Sequence, residues 1–585
     1  MSDARSDKRP AAAKVLCDIA EARYTFGVSD TGEPFALPLD GPRVVRMLRG
    51  DGRSLRAELA AAYREQTGAV APQQALADAL ATLEGFAIAA APRALALRVA
   101  EHAGALWLDL GDESGDVVRI TAQGWSVHPE APVLHRRTAL TAPLPRPATR
   151  GDLAPLWELL NVAPEDRAVL LGFLVAALMP EIPHPVLLLT GEQGTGKSTA
   201  SRMIAATVDP STVPLRKPPR DLDSWTTAAA GSHVVAVDNL SALPEWLSDA
   251  LCRASTGDGD VRRKLYSDGD LHVVSFRRVV LLNGIDLGAV RDDLADRLVT
   301  VELHRITEAT RRRDADLAGR WEAVAPVVLA GLLDLAVRVL AALPTLDLER
   351  LPRMADFGRV LAAVDAVMGT DGTGRYRAQA GELANDAVTS DPVLSTLTAT
   401  IRAPWTGAAV DLLDVLTAAL GDVKPPREWP RNARTLGATL KRRAPSLRRL
   451  GWGVEQRPER TKRGQVWSLT PPAGEGDETG DEISGPAVSS PSRHPVRHRE
   501  APPMTCEDVE SAQKGDEVTG KPSNLSVLTE REEKKEREAG SLVISSSRHP
   551  DPTDVPCASC GGTLSELRQW AGKSECVECE RQAAS

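Results

Sequence analysis

The segment Gly191-Glu192-Gln193-Gly194-Thr195-Gly196-Lys197-Ser198-Thr199 fits the pattern GxxxxGK[ST] and lies between an apolar run, 186–190, and a stretch of helical composition, 197–207. Strand, glycine loop and helix in that order are the setting that a phosphate-binding loop requires. Glycines let the backbone curl around phosphate oxygens and turn N–H donors inward, and the helix N-terminus behind them favours negative charge. In such a loop Lys197 reaches the β- and γ-phosphates of ATP, and the Ser198 hydroxyl ligates Mg2+.

A phosphate loop needs an acid to complete the magnesium shell. The apolar run 234–237 ends in Asp238, 41 positions after Lys197, where a carboxylate at a strand's C-terminal end holds Mg2+ through water. Many P-loop ATPases place a Glu next, to polarise the attacking water; here the residue is Asn239, which orients water but takes no proton, and Glu245 lies nearby in sequence. A further apolar run, 279–282, ends in Asn283, whose amide is suited to positioning the lytic water between the two earlier strands. Arg297 stands before the strand 298–303, where a guanidinium can stabilise γ-phosphate charge in a neighbouring subunit. The competing reading of Arg297 is a surface salt bridge to Asp292, Asp293 or Asp296.

Between Asp238 and Asn283, two short alternating runs flank the turn Asp268-Gly269 and predict a β-hairpin. One arm is basic, with Arg262, Arg263 and Lys264, and the other carries His272.

The order of these parts over 153–343 resembles the superfamily-three helicases, AAA+ motors of viruses, phages and plasmids that include the helicase halves of primase-helicases. The loop is common to all P-loop families; the hairpin before Asn283 and the compact spacing narrow the resemblance. It implies a ring of subunits, an arginine finger acting between them, and a hairpin that grips single-stranded DNA in a central channel. Carried over residue by residue, it puts Lys197, Ser198 and Asp238 at ATP–Mg2+, Asn283 as sensor 1, Arg297 as finger, and Arg262, Arg263, Lys264 and His272 near DNA. Asn239 departs from the family's acidic pair, which bears on hydrolysis rate more than on ATP binding. No primase pattern stands upstream, so any priming enzyme is a separate chain.

Two further regions carry chemistry. From 424 to 464 there are thirteen Lys and Arg against three Glu, in a chain whose 70 basic and 80 acidic residues leave a net charge of −10. A helix at 433–443 and strands at 452–456 and 465–469 around a basic loop give the order of a winged helix. Arg434, Lys441, Arg442, Arg443, Arg460, Lys462 and Arg463 are its candidate phosphate contacts. In the tail, Cys557, Cys560, Cys576 and Cys579 form C-x2-C-x15-C-x2-C, the spacing of a tetrathiolate zinc ribbon with no open position for chemistry.

Composition sets the frame. With 42% hydrophobic and 26% charged residues the chain can bury substantial cores, while seven clustered cysteines exclude a secreted disulfide scaffold. Residues 1–20 carry no continuous apolar stretch, 168–179 is too short to span a bilayer, and Asp334 and Arg338 interrupt 327–343, so a cytoplasmic protein is expected. The expected architecture is multidomain α/β: a mixed α+β region at 1–150, an AAA+ P-loop ATPase core at 151–345, a helical region at 346–420, a winged-helix-like domain at 421–470, a disordered linker at 471–552 and a zinc ribbon at 553–585. The expected function is an ATP-dependent DNA helicase or translocase, acting on single-stranded DNA in replication of a phage, plasmid or integrative element. The alternatives are an ATP-switched initiator or helicase loader, and a nucleotide-binding regulator with little turnover.

The cysteine spacing yields a direct test. The protein should carry one tightly held Zn2+ per chain, and Cys576→Ser should lose it; cobalt substitution, read by its tetrahedral thiolate absorption, checks both.

Overall fold

A computed structural model describes residues 11–50, 54–257, 259–263, 271–284, 290–348, 351–421, 423–427 and 429–472. The expected zinc ribbon, and the expected linker from 473 onward, lie outside the described residues.

The chain begins with α1 (Ala12–Arg23), the antiparallel strands β1 (Tyr24–Val28), β2 (Pro34–Pro38) and β3 (Arg46–Met47), and helices α2 (Leu55–Thr67) and α3 (Gln73–Ile88). These close around Leu16, Leu55, Leu59 and Leu83. A second layer follows: β4 (Leu95–Ala96), the antiparallel meander β5 (Val99–His102), β6 (Ala105–Asp109), β7 (Val117–Thr121) and β8 (Gly124–His128), then β9 (Leu134–His135) alongside β4.

Next come α4 (Ala154–Leu159), α5 (Arg167–Ala176), β10 (Val186–Thr190), α6 (Lys197–Val208), α7 (Leu222–Ala230), β11 (Val234–Leu240) and α8 (Glu245–Thr256). They continue through β12 (Gly259–Arg263), β13 (Leu271–Ser275), β14 (Val279–Gly284), α9 (Asp292–Ala295), β15 (Leu298–Glu302) and α10 (Asp314–Ala342). Four of the strands form a parallel sheet in the order β11-β14-β10-β15. Their continuous apolar runs reflect burial on both faces. Leu187, Leu189, Ala236, Leu281 and Val299 face one core, while Val186, Leu188, Val235, Leu282 and Leu298 face the other.

A parallel sheet of four strands has two edges; side chains cover one, and a short backbone bridge meets the other. Along β15, the Gln379 amide accepts from the Thr300 N–H (3.2 Å) and donates to its carbonyl (2.7 Å), as a strand would. Buried Asp166 accepts from the Glu302 N–H (2.7 Å) and is paired with Arg375 (2.7 Å). Along β11, Arg216 supplies one isolated bridge to Val237. Residues 212–215 add no strand at this edge, because Pro214 lacks a donor and Pro218-Pro219 follow shortly after.

Helix α10 is long and apolar enough to cross a membrane by length and composition. Its Leu332, Leu333, Ala336 and Val339 are buried in the main core. The polar interruptions are used inside the protein: Asp334 accepts from Trp125 Nε1 (2.7 Å) and Arg338 donates to the Val367 carbonyl (2.5 Å).

The remaining elements are α11 (Ala355–Met368), α12 (Gly372–Ser390), α13 (Pro392–Thr400), β16 (Trp405–Ala408), α14 (Ala409–Ala419), α15 (Ala433–Arg449), β17 (Gly453–Thr461) and β18 (Gly464–Thr470). The antiparallel sheet β16-β18-β17 shares one core with α13, α14 and α15, in which Leu394, Leu412, Leu436, Leu447, Trp467 and Leu469 meet. The basic segment therefore packs with residues before 421 rather than on its own.

One buried ion pair joins the meander to the parallel sheet. Arg98 is fully buried, donates to Asp209 Oδ1 (2.7 Å), and also donates to the carbonyls of Asp109, Ala142 and Pro210. Asp209 Oδ2 in turn accepts from the His233 and Val234 N–H groups at the start of β11 (2.8 and 2.9 Å). Removing one partner strands a buried charge, which typically costs about 3–5 kcal/mol. Arg98→Ala should therefore lower the urea midpoint of the core sharply, whereas Arg146→Ala, whose ion pair with Asp116 leaves the arginine largely exposed, should leave it nearly unchanged.

Candidate nucleotide-binding site

The glycine loop joins β10 to α6 as the spacing predicts. Gly191, Gly194 and Gly196 have φ of 137°, 84° and 78°, the left-handed region that favours glycine. A side chain at Gly191 would also meet the Leu303 carbonyl at 2.7 Å. The loop is braced from within and from behind: Thr195 Oγ1 donates to the Glu192 carbonyl (3.0 Å), and Asn161 Nδ2 donates to the Thr195 carbonyl (2.9 Å). Lys197 folds over the loop and its Nζ donates to the carbonyls of Gly191 (2.7 Å) and Glu192 (2.8 Å). Partial burial lowers its pKa from the usual lysine value. Glu192, Gln193 and Gly194 are exposed at the loop's crest, and Thr199 lies in the first turn of α6.

The Ser198 hydroxyl donates to Asp238 Oδ1 at 2.8 Å. Two residues 40 positions apart, one in the first turn of α6 and the other on β11, are thus brought into direct contact. A hydroxyl and a carboxylate are hard oxygen donors of the kind Mg2+ takes.

Asn239 has φ of 57°, a conformation asparagine tolerates better than most residues, and it sits in a break in the register of β11. Its side chain is exposed, while its N–H donates to Asn283 Oδ1 (2.9 Å). Asn283 lies on the strand between the two phosphate-site strands, and its Nδ2 donates to Ser201 Oγ of α6 (2.7 Å). The Asn283 amide is 2% exposed and engaged at both ends, so in this arrangement it locks β11 to α6. Glu245 opens α8, exposed.

Arg297 is at the other end of the sheet. Its carbonyl accepts from the Val186 N–H at the start of β10, so the five residues of that strand, about 16 Å at ~3.3 Å each, separate it from its own glycine loop. Its Nη1 donates to the Asp293 carbonyl (2.5 Å) and its Nε is buried without a partner.

The predicted hairpin is present as β12 and β13, antiparallel, with Arg262 opposite His272. The side chains of Arg262, Arg263 and His272, and Lys264 altogether, lie outside the described residues. The hairpin's exit is anchored by two arginines: Arg277 donates to the Pro180 carbonyl (2.7 Å), and Arg278 donates to Ala229 (2.6 Å) and stacks over Phe276. Burial pulls Arg278 down to about 10.

In the basic domain, Arg434, Lys441, Arg442 and Lys462 are exposed. Arg463 reaches Asp411 of α14 (2.6 Å), and the side chain of Arg460 lies outside the described residues. Arg443 departs from the expected phosphate contact: it is turned inward, pairing with Asp292 (3.1 Å) and Asp391 (3.6 Å). Ser446 donates to the same Asp292 (2.9 Å), and Arg449 pairs with Asp296. Two of the three acids offered in sequence as partners of Arg297, Asp292 and Asp296, are thus taken by α15.

Residues 153–386 match the family described as actinomycete integrative conjugative element replication protein, and residues 392–484 match the AICE RepA C-terminal domain. No curated protein matches the chain. Among solved structures, it is similar to SCCmec type IV Cch, described as an active helicase, at 12% identity and a TM-score of 0.39, over 77% of this chain and 93% of that one. It is similar to the apo C-terminal region of NrS-1 at 11% identity and a TM-score of 0.38, over 79% and 98%. A JCV helicase aligns at 13% identity and a TM-score of 0.21, over 40% of this chain and 64% of that one.

The lock at Asn283 carries its own test. Asn283→Leu keeps the branched skeleton, though with more bulk, but leaves the Asn239 N–H and Ser201 hydroxyl without their partner, a loss of about 1–3 kcal/mol. The variant should therefore unfold at a lower urea midpoint than the parent.

Proposed function

We propose that the protein is an ATP-dependent DNA helicase or translocase serving replication of an integrative conjugative element. The observation that carries the reading is the Ser198–Asp238 hydrogen bond, which joins the glycine loop to the strand-ending acid across the middle of the sheet. ATP would lie on the loop, with Lys197 leaving its two carbonyl partners for the β- and γ-phosphates. Mg2+ would be held by Ser198 directly and by Asp238 through water; bound there, it neutralises charge developing on the phosphates.

The position of Arg297 favours action on a neighbouring subunit's site, because a strand's length separates it from its own loop; this supports a ring. The basic hairpin β12–β13 would contact single-stranded DNA. The order α13, β16, α14, α15, β17, β18 supports reading this domain as a winged helix, in which exposed Arg434, Lys441 and Arg442 of α15 and Lys462 at the β17–β18 turn would contact phosphates. The four tail cysteines would hold a structural Zn2+. A separate chain would supply priming, and a cytoplasmic location follows from this role.

A second reading, a nucleotide-switched initiator, loader or regulator with little turnover, is favoured by one observation: Asn239 offers no carboxylate next to Asp238. The two readings part on a forked duplex. A motor should displace the strand with DNA-stimulated ATP hydrolysis, and Lys197→Ala should abolish both. A switch should bind ATP and DNA without displacement. Hydrolysis persisting at parental rate in Lys197→Ala would overturn the nucleotide site itself.

A further inference from the structure

We infer that Arg311 is a phosphate-contacting residue of the nucleotide site, acting within its own subunit; this rests on the reading of the glycine loop as an ATP site. After β15 the chain does not leave the loop but crosses over it. The Leu303 N–H donates to the Thr190 carbonyl at the last residue of β10 (3.0 Å), and the His304 N–H donates to Asn161 (2.9 Å). Asn161 is the residue that braces Thr195, and its Nδ2 also reaches the His304 carbonyl. Ile306 lies close over Gly196, 3.2 Å from where a side chain there would begin.

The crossing then closes into a turn. The Thr310 and Arg311 N–H groups both donate to the Thr307 carbonyl (3.1 and 3.0 Å), and the Thr307 and Thr310 hydroxyls are 2.9 Å apart. This turn presents three consecutive arginines, and the protein accounts for two. Arg312 donates to the Glu158 carbonyl (3.4 Å), and Arg313 forms a two-pronged pair with Asp316 (2.9 and 3.0 Å). Arg311 has no acidic partner among the described residues, and its Nη2 stands 3.6 Å from where a side chain on Gly194 would begin.

Gly194 is at the crest of the loop whose N–H groups cradle phosphate. An exposed guanidinium held there by a hydrogen-bonded turn can donate two N–H groups to a phosphate oxygen pair, a geometry that lysine cannot reproduce. Arg311 would therefore meet the phosphate chain at the loop's crest, beside Gly194, while Lys197 meets it from over the Gly191 and Glu192 carbonyls.

The test uses the full-length protein with Mg2+ and a fluorescent ATP analogue, and measures Kd. Loss of one charge-assisted contact should weaken binding about 10- to 100-fold in Arg311→Ala. Arg311→Lys should recover only part of the loss, and Arg312→Ala should bind as the parent does. Because Arg311 is exposed, its substitution should leave the thermal midpoint unchanged, so a loss of affinity reports the site rather than the fold. Parental affinity in Arg311→Ala, together with lost binding in Lys197→Ala, would overturn this inference and leave the nucleotide site standing. Absence of binding by the parent protein would overturn both.

Discussion

Every backbone group of a buried parallel strand must find a partner, and a sheet of only four strands leaves two edges and two sets of strand ends to supply. Much of the polar architecture answers that demand. Gln379 and Asp166 finish β15, Arg216 touches β11, and Asp209 takes two N–H groups where β11 begins. Gln379, Asp166 and Asp209 come from elements outside the sheet, so closing it also fastens those elements to it. Asp209 is neutralised by Arg98 of the meander, and Asp166 by Arg375 of α12. The charges are buried because the backbone they serve is buried.

At the other end of β11 and β14 the same demand produces chemistry. The break in β11 at Asp238-Asn239 frees an N–H that the Asn283 amide takes up, and that amide is tied to the helix leading out of the glycine loop. The acid is thereby set against the Ser198 hydroxyl with little freedom to drift. Its placement is a by-product of satisfying one irregular strand.

The parts of the molecule legible in the sequence are those in which local pattern and burial agree. Apolar runs ending in Thr190, Asp238 and Asn283 became β10, β11 and β14, and the glycine pattern marked the loop between β10 and α6. The hairpin was visible from its Asp-Gly turn. Less visible were β16 and α14: the strand is four residues long with a glycine in it, and its partner β18 lies some sixty positions away. Arg443 was misjudged because α15 is basic on both sides, and only packing against α9 separates its inward from its outward cations. Arg311 was missed although three consecutive arginines stood after the last strand as a signal; what brings it to Gly194 is the crossing of the chain over the loop.

The seating of α15 on α9 has a consequence for how an anionic partner would experience the protein. Arg443 and Arg449 hold Asp292 and Asp296 by contacts between opposite charges, as exposed Arg434 and Arg442 would hold phosphates. Added salt weakens external contacts by erasing the entropy gained when counterions leave. It also weakens the internal pairs to the extent that water reaches them, and loosening them returns two cations to the surface. The two responses oppose each other. Affinity of this helix for a polyanion should then fall less steeply with ionic strength than a count of its arginines suggests, and the difference measures how much of the helix's charge is spent holding its own domain in place.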